Sequence, residues 1–262
     1  MDNTVKEPLI HLSKREDMSF GKKWLVRIIA ILLSLIVCAG FIFIIIKMNP
    51  VEVYEGIVEG AVGTGRRFWV TARDALTLLC VAVAVTPAFK MKFWNIGAEG
   101  QILMGCVASA AMMIYAGNAL PTGLLLVLMF VCSFIAGGIW GIITAFFKAR
   151  WNTNETLFTL MLNYVAMQVV TFCIVYWENP AGSNSVGIIN APTRAGWLPH
   201  LFGLDYGCNL AIVLLLTVLM FIYMKRTKHG YEIAVVGESE NTARYAGINV
   251  GKVIVRTVGI SG

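Results

Sequence analysis

The run QILMGCVASAAMMIYAGNALPTGLLLVLMFVCSFIAGGIWGIITAFF, residues 101–147, contains no Asp, Glu, Lys or Arg. A helix crossing the hydrocarbon core of a bilayer needs about 20 mostly apolar residues. This run is long enough for two, and Asn118, Pro121 and Gly123 break it in the middle. Two spanning helices are therefore expected, at about 102–115 and 123–147. Within the second, Gly137 and Gly141 form a small-xxx-small pair suited to close helix packing.

The rest of the chain has the same character. Of its 262 residues 58% are hydrophobic and 14% charged, with a mean hydropathy of +0.73. That excludes a disordered chain. It also leaves too few polar side chains to cover a compact water-soluble enzyme. The fold class is all-α: a polytopic helical membrane protein. Outward from the decisive run, further spans are expected at 28–46, 75–89, 156–177 and 210–224, which makes six. Residues 1–23 read as a cytoplasmic tail and 24–262 as the transmembrane domain. The mixed segment 48–73 is placed outside the hydrocarbon as a short surface helix and a turn, and 178–205 as a polar loop.

The net charge of +6 does not point to nucleic acid, because no basic stripe gathers the cations. They sit at the ends of the apolar runs. With the N-terminus inside, 16 of the 21 Lys and Arg fall on inner segments, so the positive-inside rule sets the N-terminus in the cytoplasm. The six cysteines have no C-x-x-C spacing, and His11, His200 and His229 are scattered, so neither a disulfide framework nor a metal site is expected.

Three segments stand out. Residues 93–101, FWNIGAEGQ, place Asn95, Glu99 and Gln101 between two apolar runs, with Gly97 and Gly100 beside them. Polar groups at membrane depth mark solute paths, and Gly-interrupted segments mark broken helices. An ordinary inner loop is the competing reading. Asn154-Glu155 opens the fifth run, where the helix dipole favours an anion. Asn163 follows well inside that span, suited to an interhelical hydrogen bond or a pathway contact. Asn154-Glu155-Thr156 matches a glycosylation sequon but falls on the inner side. The segment 237–247, GESENTARYAG, has Ser239 as a possible N-cap and Gly247 suited to a helix C-terminus. No phosphate loop is present: Gly247 to Val253 has the wrong spacing and Val253 in place of Ser or Thr.

The motifs Asn95-Ile96-Gly97-Ala98-Glu99-Gly100-Gln101, Asn154-Glu155 with Met161-Leu162-Asn163-Tyr164, and Ala243-Arg244-Tyr245-Ala246-Gly247-Ile248 occur in this order. Together they resemble the permease subunits of bacterial ABC importers for nucleosides and simple sugars, in the broad family of ribose and branched-chain amino-acid permeases. The resemblance implies an importer half in the bacterial plasma membrane, surrounded by lipid and paired with a second permease subunit. Separate cytoplasmic ATPase subunits would bind ATP and Mg²⁺, so this chain would be no enzyme and carry no cofactor. An extracytoplasmic binding protein would deliver the solute. It implies a substrate pathway at Asn95, Gly97, Glu99, Gln101, Glu155 and Asn163. It also implies an ATPase-coupling helix with Glu238, Asn241, Ala243, Arg244, Tyr245, Ala246 and Gly247. Family members continue past Gly262 with further spans, so the chain is expected to be C-terminally truncated. An ion-coupled secondary transporter, with Glu99 and Glu155 as ion ligands, is the alternative, and a non-transporting scaffold the other.

Overall fold

The computed structural model describes residues 19–201 and 206–262. The tail cations Lys6, Lys14 and Arg15, the histidine His11 and the last loop position, Asp205, lie outside the described residues. The described residues form α1 (Phe20–Phe41), α2 (Pro50–Val62), α3 (Gly65–Lys90), α4 (Ala98–Ala116), α5 (Thr122–Trp151), α6 (Glu155–Tyr176), α7 (Gly207–Arg226), α8 (Lys228–Glu238), α9 (Glu240–Tyr245) and α10 (Val250–Ser261). Among these, six helices are long and apolar enough to cross a membrane: α1 with the π turn that extends it to Ile46, then α3, α4, α5, α6 and α7. The spans are those the sequence marks, with longer ends.

The chain divides into two units, residues 1–68 and 69–262. In the first, α1 begins at Phe20, inside the segment read as a tail, and buries no side chain. Its apolar surface is left for lipid. Asn49 caps α2 by accepting from the Val51 amide (3.1 Å), with Pro50 at the first helical position, where a missing N–H costs nothing. Thr64 accepts from the Arg67 amide (3.3 Å) and starts α3. This corrects the expected start of the second span at residue 75. The short surface helix exists as α2, but residues 65–74 are already helical. Arg66, Arg67 and Arg73 tolerate that position because long basic side chains reach outward from a helix end; Arg67 lies 3.5 Å from Glu59 and Arg73 2.8 Å from Asp74.

In the second unit α5 is the central helix, packed by α4 and α10 and more lightly by α6. The Gly137/Gly141 stripe is what lets them approach. A Cβ on Gly141 would stand 2.8 Å from the Val258 carbonyl oxygen of α10 and 3.0 Å from Gln101 Nε2 of α4. The apolar core collects where α8, α9 and α10 meet the end of α3. Ala88, Phe93, Ile233, Val236, Ala243, Val253 and Val258 are buried together there. The spans proper bury few side chains, as expected where lipid is the solvent and no hydrophobic force drives helices together.

Short helices owe their ends to local caps. Thr227, Ser239 and Asn249 accept from the amides of Gly230 (3.0 Å), Thr242 (3.3 Å) and Lys252 (3.0 Å), opening α8, α9 and α10. The loop after α6 is held too: Glu178 accepts from the Gly182 and Asn184 amides, and Asn190 Nδ2 donates to Met113 O (2.8 Å).

Candidate functional site

The first polar node forms where α3 stops and α4 starts. After Lys90 the chain turns through Lys92, at φ 60°, and buries Phe93. Gly97 then leads into α4. The first amides of a helix have no partner within it, and here the partner comes from a different helix. Asn163, in the middle of α6, accepts from the Gly100 amide (2.9 Å) through Oδ1 and donates to Ile96 O (3.0 Å) through Nδ2. The approach is close enough to require glycine: a Cβ on Gly100 would meet Asn163 Oδ1 at 2.8 Å and Trp140 Nε1 at 3.0 Å. Asn95 Nδ2 donates to Gln101 Oε1 (3.2 Å) within the same node. Asn95, Gln101 and Asn163 are 2%, 4% and 3% exposed.

The node is under-satisfied. Asn95 Oδ1, Gln101 Nε2 and Trp140 Nε1 are buried without a hydrogen-bond partner. An unpaired amide costs about 1–3 kcal/mol in a protein interior, so these atoms are poised for water or a solute.

The structure thus brings Asn95, Gly97, Gln101 and Asn163 together and leaves the two carboxylates out. Glu99 is exposed on the other side of α4. Glu155 sits in the first turn of α6, beneath the Asn154 cap on the Leu157 amide (3.2 Å), and pairs with Lys148 Nζ at 2.9 Å. A carboxylate already neutralised by a part-buried lysine is a helix-end anchor between α5 and α6 rather than a free ligand.

The second site is the short segment after the last span. The sequence offers a short helix within 237–247 with Ser239 as its N-cap, and the structure has it as α9, which leaves Glu238 outside. Ser239 adopts an extended conformation, φ −160° and ψ 121°, and uses its hydroxyl to cap α9, so Glu238 ends α8 instead. The other end is a Schellman closure. Ile248 N donates to Ala243 O (2.9 Å), Gly247 N donates to Arg244 O (3.0 Å), and Gly247 takes φ +76°, where a side chain would be strained. Ala243 is 0% exposed and belongs to the chain's own core, so among the residues read as ATPase-coupling it is the one whose side chain packs inward. Asn241, Arg244, Ala246 and Gly247 are exposed, and Arg244 lies 3.7 Å from Glu240 one turn back. Tyr245 is 93% exposed.

Three contributors escaped sequence reasoning. Trp140 and Ser261 carry buried polar atoms without partners, and neither lies in a recognisable motif. His229, 3% exposed, hydrogen-bonds the Tyr223 hydroxyl through Nδ1 and faces Thr257 Oγ1 at 3.4 Å through Nε2, tying α7, α8 and α10 together. Burial pushes its pKa below the usual imidazole value, and the nearby Arg256 adds to this.

Fold and site define a multi-pass helical membrane protein with a polar break buried in its bundle. The chain belongs to the family of branched-chain amino acid transport system permease components, which matches residues 69–262. It is 29% identical over 245 residues to the guanosine ABC transporter permease protein of Bacillus subtilis (strain 168), covering 91% of this chain and 68% of that one. It is 28% identical over 251 residues to the nucleoside ABC transporter permease protein of Lactococcus lactis subsp. cremoris, covering 92% and 68%. It is 27% identical over 233 residues to the glucose ABC transporter permease protein of Haloferax volcanii, covering 83% and 59%. No solved structure matches the chain.

Proposed function

We propose that this chain is the permease subunit of an ATP-binding cassette importer and forms the path for a nucleoside or simple sugar, powered by separate cytoplasmic ATPase subunits. Its place is the bacterial plasma membrane with the N-terminus inside. A second permease subunit completes the path, and an extracytoplasmic binding protein delivers the solute. The observation that carries the reading is α9. It is a helix of under two turns, pinned at both ends and seated on the core by Ala243, that holds the aromatic ring of Tyr245 almost entirely in the open. A rigid mount with an exposed aromatic suits docking to a partner. Asn95, Gly97, Gln101 and Asn163 are the pathway residues of this reading; Arg244, Tyr245 and Ala246 are its ATPase contacts. ATP and Mg²⁺ belong to the partner.

The ion-coupled alternative is weakened by the positions of its two candidate ligands, one exposed and one paired with Lys148. The test is uptake by the assembled complex in proteoliposomes. Solute accumulation is expected to require ATP inside and to survive an ionophore. Accumulation driven by an ion gradient without ATP would replace this reading with a secondary transporter.

A further inference from the structure

Two lysines stand on the last turns of two different spans, Lys90 on α3 and Lys225 on α7. The helix that joins these ends is α8, seated against both through glycines. A Cβ on Gly237 would collide with the Lys90 carbonyl oxygen, and one on Gly230 with those of Tyr223 and Met224. The two glycines are about 10 Å apart along α8, at 1.5 Å per residue. The ends of α3 and α7 are therefore held roughly one helix diameter apart, and the two spans scarcely touch each other.

The gap between them is a groove of about 450 Å³. Gly230 and Ala234 of α8 close its end, Lys90 and Lys225 stand beside them, and no carboxylate lines it. Towards the middle of the spans its wall is apolar, with Val83 on α3 and Met220, Phe221 and Met224 on α7. Thr86 and Thr217 also line it, but each hydroxyl donates within its own helix, to Ala82 O (2.7 Å) and Val213 O (2.7 Å). The depth of the groove thus has no free donor for a polar solute. Among the described residues neither lysine has a carboxylate partner, although the neighbouring Lys228 pairs with Glu232 at 3.9 Å. Lys225 folds back instead, with Nζ 4.7 Å from the centroid of the Phe221 ring, one turn nearer the middle of the span. A lysine at the end of a span ordinarily reaches outward to water. Here the ammonium is turned towards the hydrocarbon, and the anion that lies at that depth is a lipid headgroup.

We propose that this groove binds one anionic phospholipid. Lys90 and Lys225 take its headgroup phosphate, and an acyl chain lies between α3 and α7 on Val83, Met220, Phe221 and Met224. The two halves of the groove select this occupant together. An apolar helix from another subunit would cover the wall and leave both ammonium groups unanswered. A free phosphate would answer the lysines and leave the wall uncovered. A zwitterionic lipid brings its own cation, which competes with both lysines for the phosphate. The flexible thioethers of Met220 and Met224 adapt to a chain of no fixed shape. The proposal needs the spans and not the transport reading.

The test is native mass spectrometry of the full-length chain, purified with whatever partners it retains and titrated with phosphatidylglycerol or with phosphatidylcholine of the same acyl chains. Wild type is expected to retain one phosphatidylglycerol in preference to phosphatidylcholine. A lysine near an anionic lipid surface is worth about fivefold in affinity, so Lys90→Gln combined with Lys225→Gln should weaken phosphatidylglycerol binding about 25-fold. Lys92→Gln combined with Lys228→Gln removes the same charge from exposed residues outside the groove and should leave that lipid bound. Ala234→Leu fills the groove without changing its charge and should also expel the lipid; it decides the question if the groove lysine variant does not purify. An equal loss in the two lysine pairs reduces the effect to diffuse attraction at a basic surface and overturns the site. Unchanged retention in Ala234→Leu overturns the placement of the acyl chain. Glycerol 3-phosphate binding as tightly as phosphatidylglycerol makes this a site for free phosphate esters and overturns the lipid. No preference for phosphatidylglycerol in wild type overturns the proposal outright.

Discussion

The α3–α4 break and the α9 segment are both short polar interruptions of an apolar chain, and they are built on opposite principles. At the break, the groups that complete the structure come from far along the chain: Asn163 reaches Gly100 and Ile96 across more than sixty residues. At α9, the fixing contacts are local: Ser239 to Thr242 at one end and Ala243 to Ile248 at the other. The first arrangement buries polar atoms and leaves some unsatisfied. The second buries one alanine and leaves a tyrosine in the open. A node assembled from three helices can respond to how those helices move. A helix closed by its own caps moves as a rigid piece.

Four changes would break or sharpen this contrast. The largest effect is expected from Gly141→Leu, which drives a side chain into the Val258 carbonyl and the Gln101 amide at once. Overpacking between backbones that cannot retreat should cost roughly 3 kcal/mol or more. The yield of folded, detergent-stable protein should collapse; a normal yield would mean that α10 does not sit on the stripe.

Asn163→Leu comes next. It strips the Gly100 amide and the Ile96 carbonyl of their partner at once. With about 1–3 kcal/mol for each group left unpaired, a loss of about 2 kcal/mol or more in thermal-unfolding experiments is expected, together with a fall in transport. Unchanged stability would show that the break is held by something other than this side chain.

Tyr245→Ala tests the other region. It should leave folding and membrane insertion untouched, since the ring contacts solvent. ATPase affinity should drop by about 2 kcal/mol, or roughly thirtyfold in Kd, as read by titrating the purified ATPase onto the permease. Wild-type affinity would move the docking surface away from α9.

The smallest effect concerns pH. His229 is buried as the neutral ring, with a folded-state pKa lowered from about 6.5 in the unfolded chain. The stability this contributes is present in full above pH 6.5 and is lost as pH falls through the folded-state value. Amide protection factors in α8, with the base-catalysed slowing of exchange divided out, should fall as the pH drops below about 6.5, and His229→Gln should flatten that dependence. Equal slopes in both proteins would exclude the ring as the cause.

The six spans were legible because hydrocarbon imposes a length and composition on any helix that crosses it, and a 47-residue run without charge meets that demand twice. Ser239 and Gly247 were legible as helix ends because capping is settled within a few residues of chain. The start of α3 was misplaced. Arg66, Arg67 and Arg73 look like loop residues by composition, while the helical state there depends on the Thr64 cap and on side chains long enough to reach past the helix end.

What the sequence by itself determined is the set of spans, the caps, and the fact that Asn95, Gln101 and Asn163 are out of place among apolar neighbours. Only the tertiary structure decided which polar groups belong together. It placed Asn163, Trp140 and Ser261 with Gln101 at a glycine-lined crossing and set Glu99 and Glu155 apart from them. It also turned Ala243 inward and Tyr245 outward on the same short helix. The reason is that spacing along the chain fixes a side chain's face on its own helix. Which helix lies against that face is set by packing between distant segments.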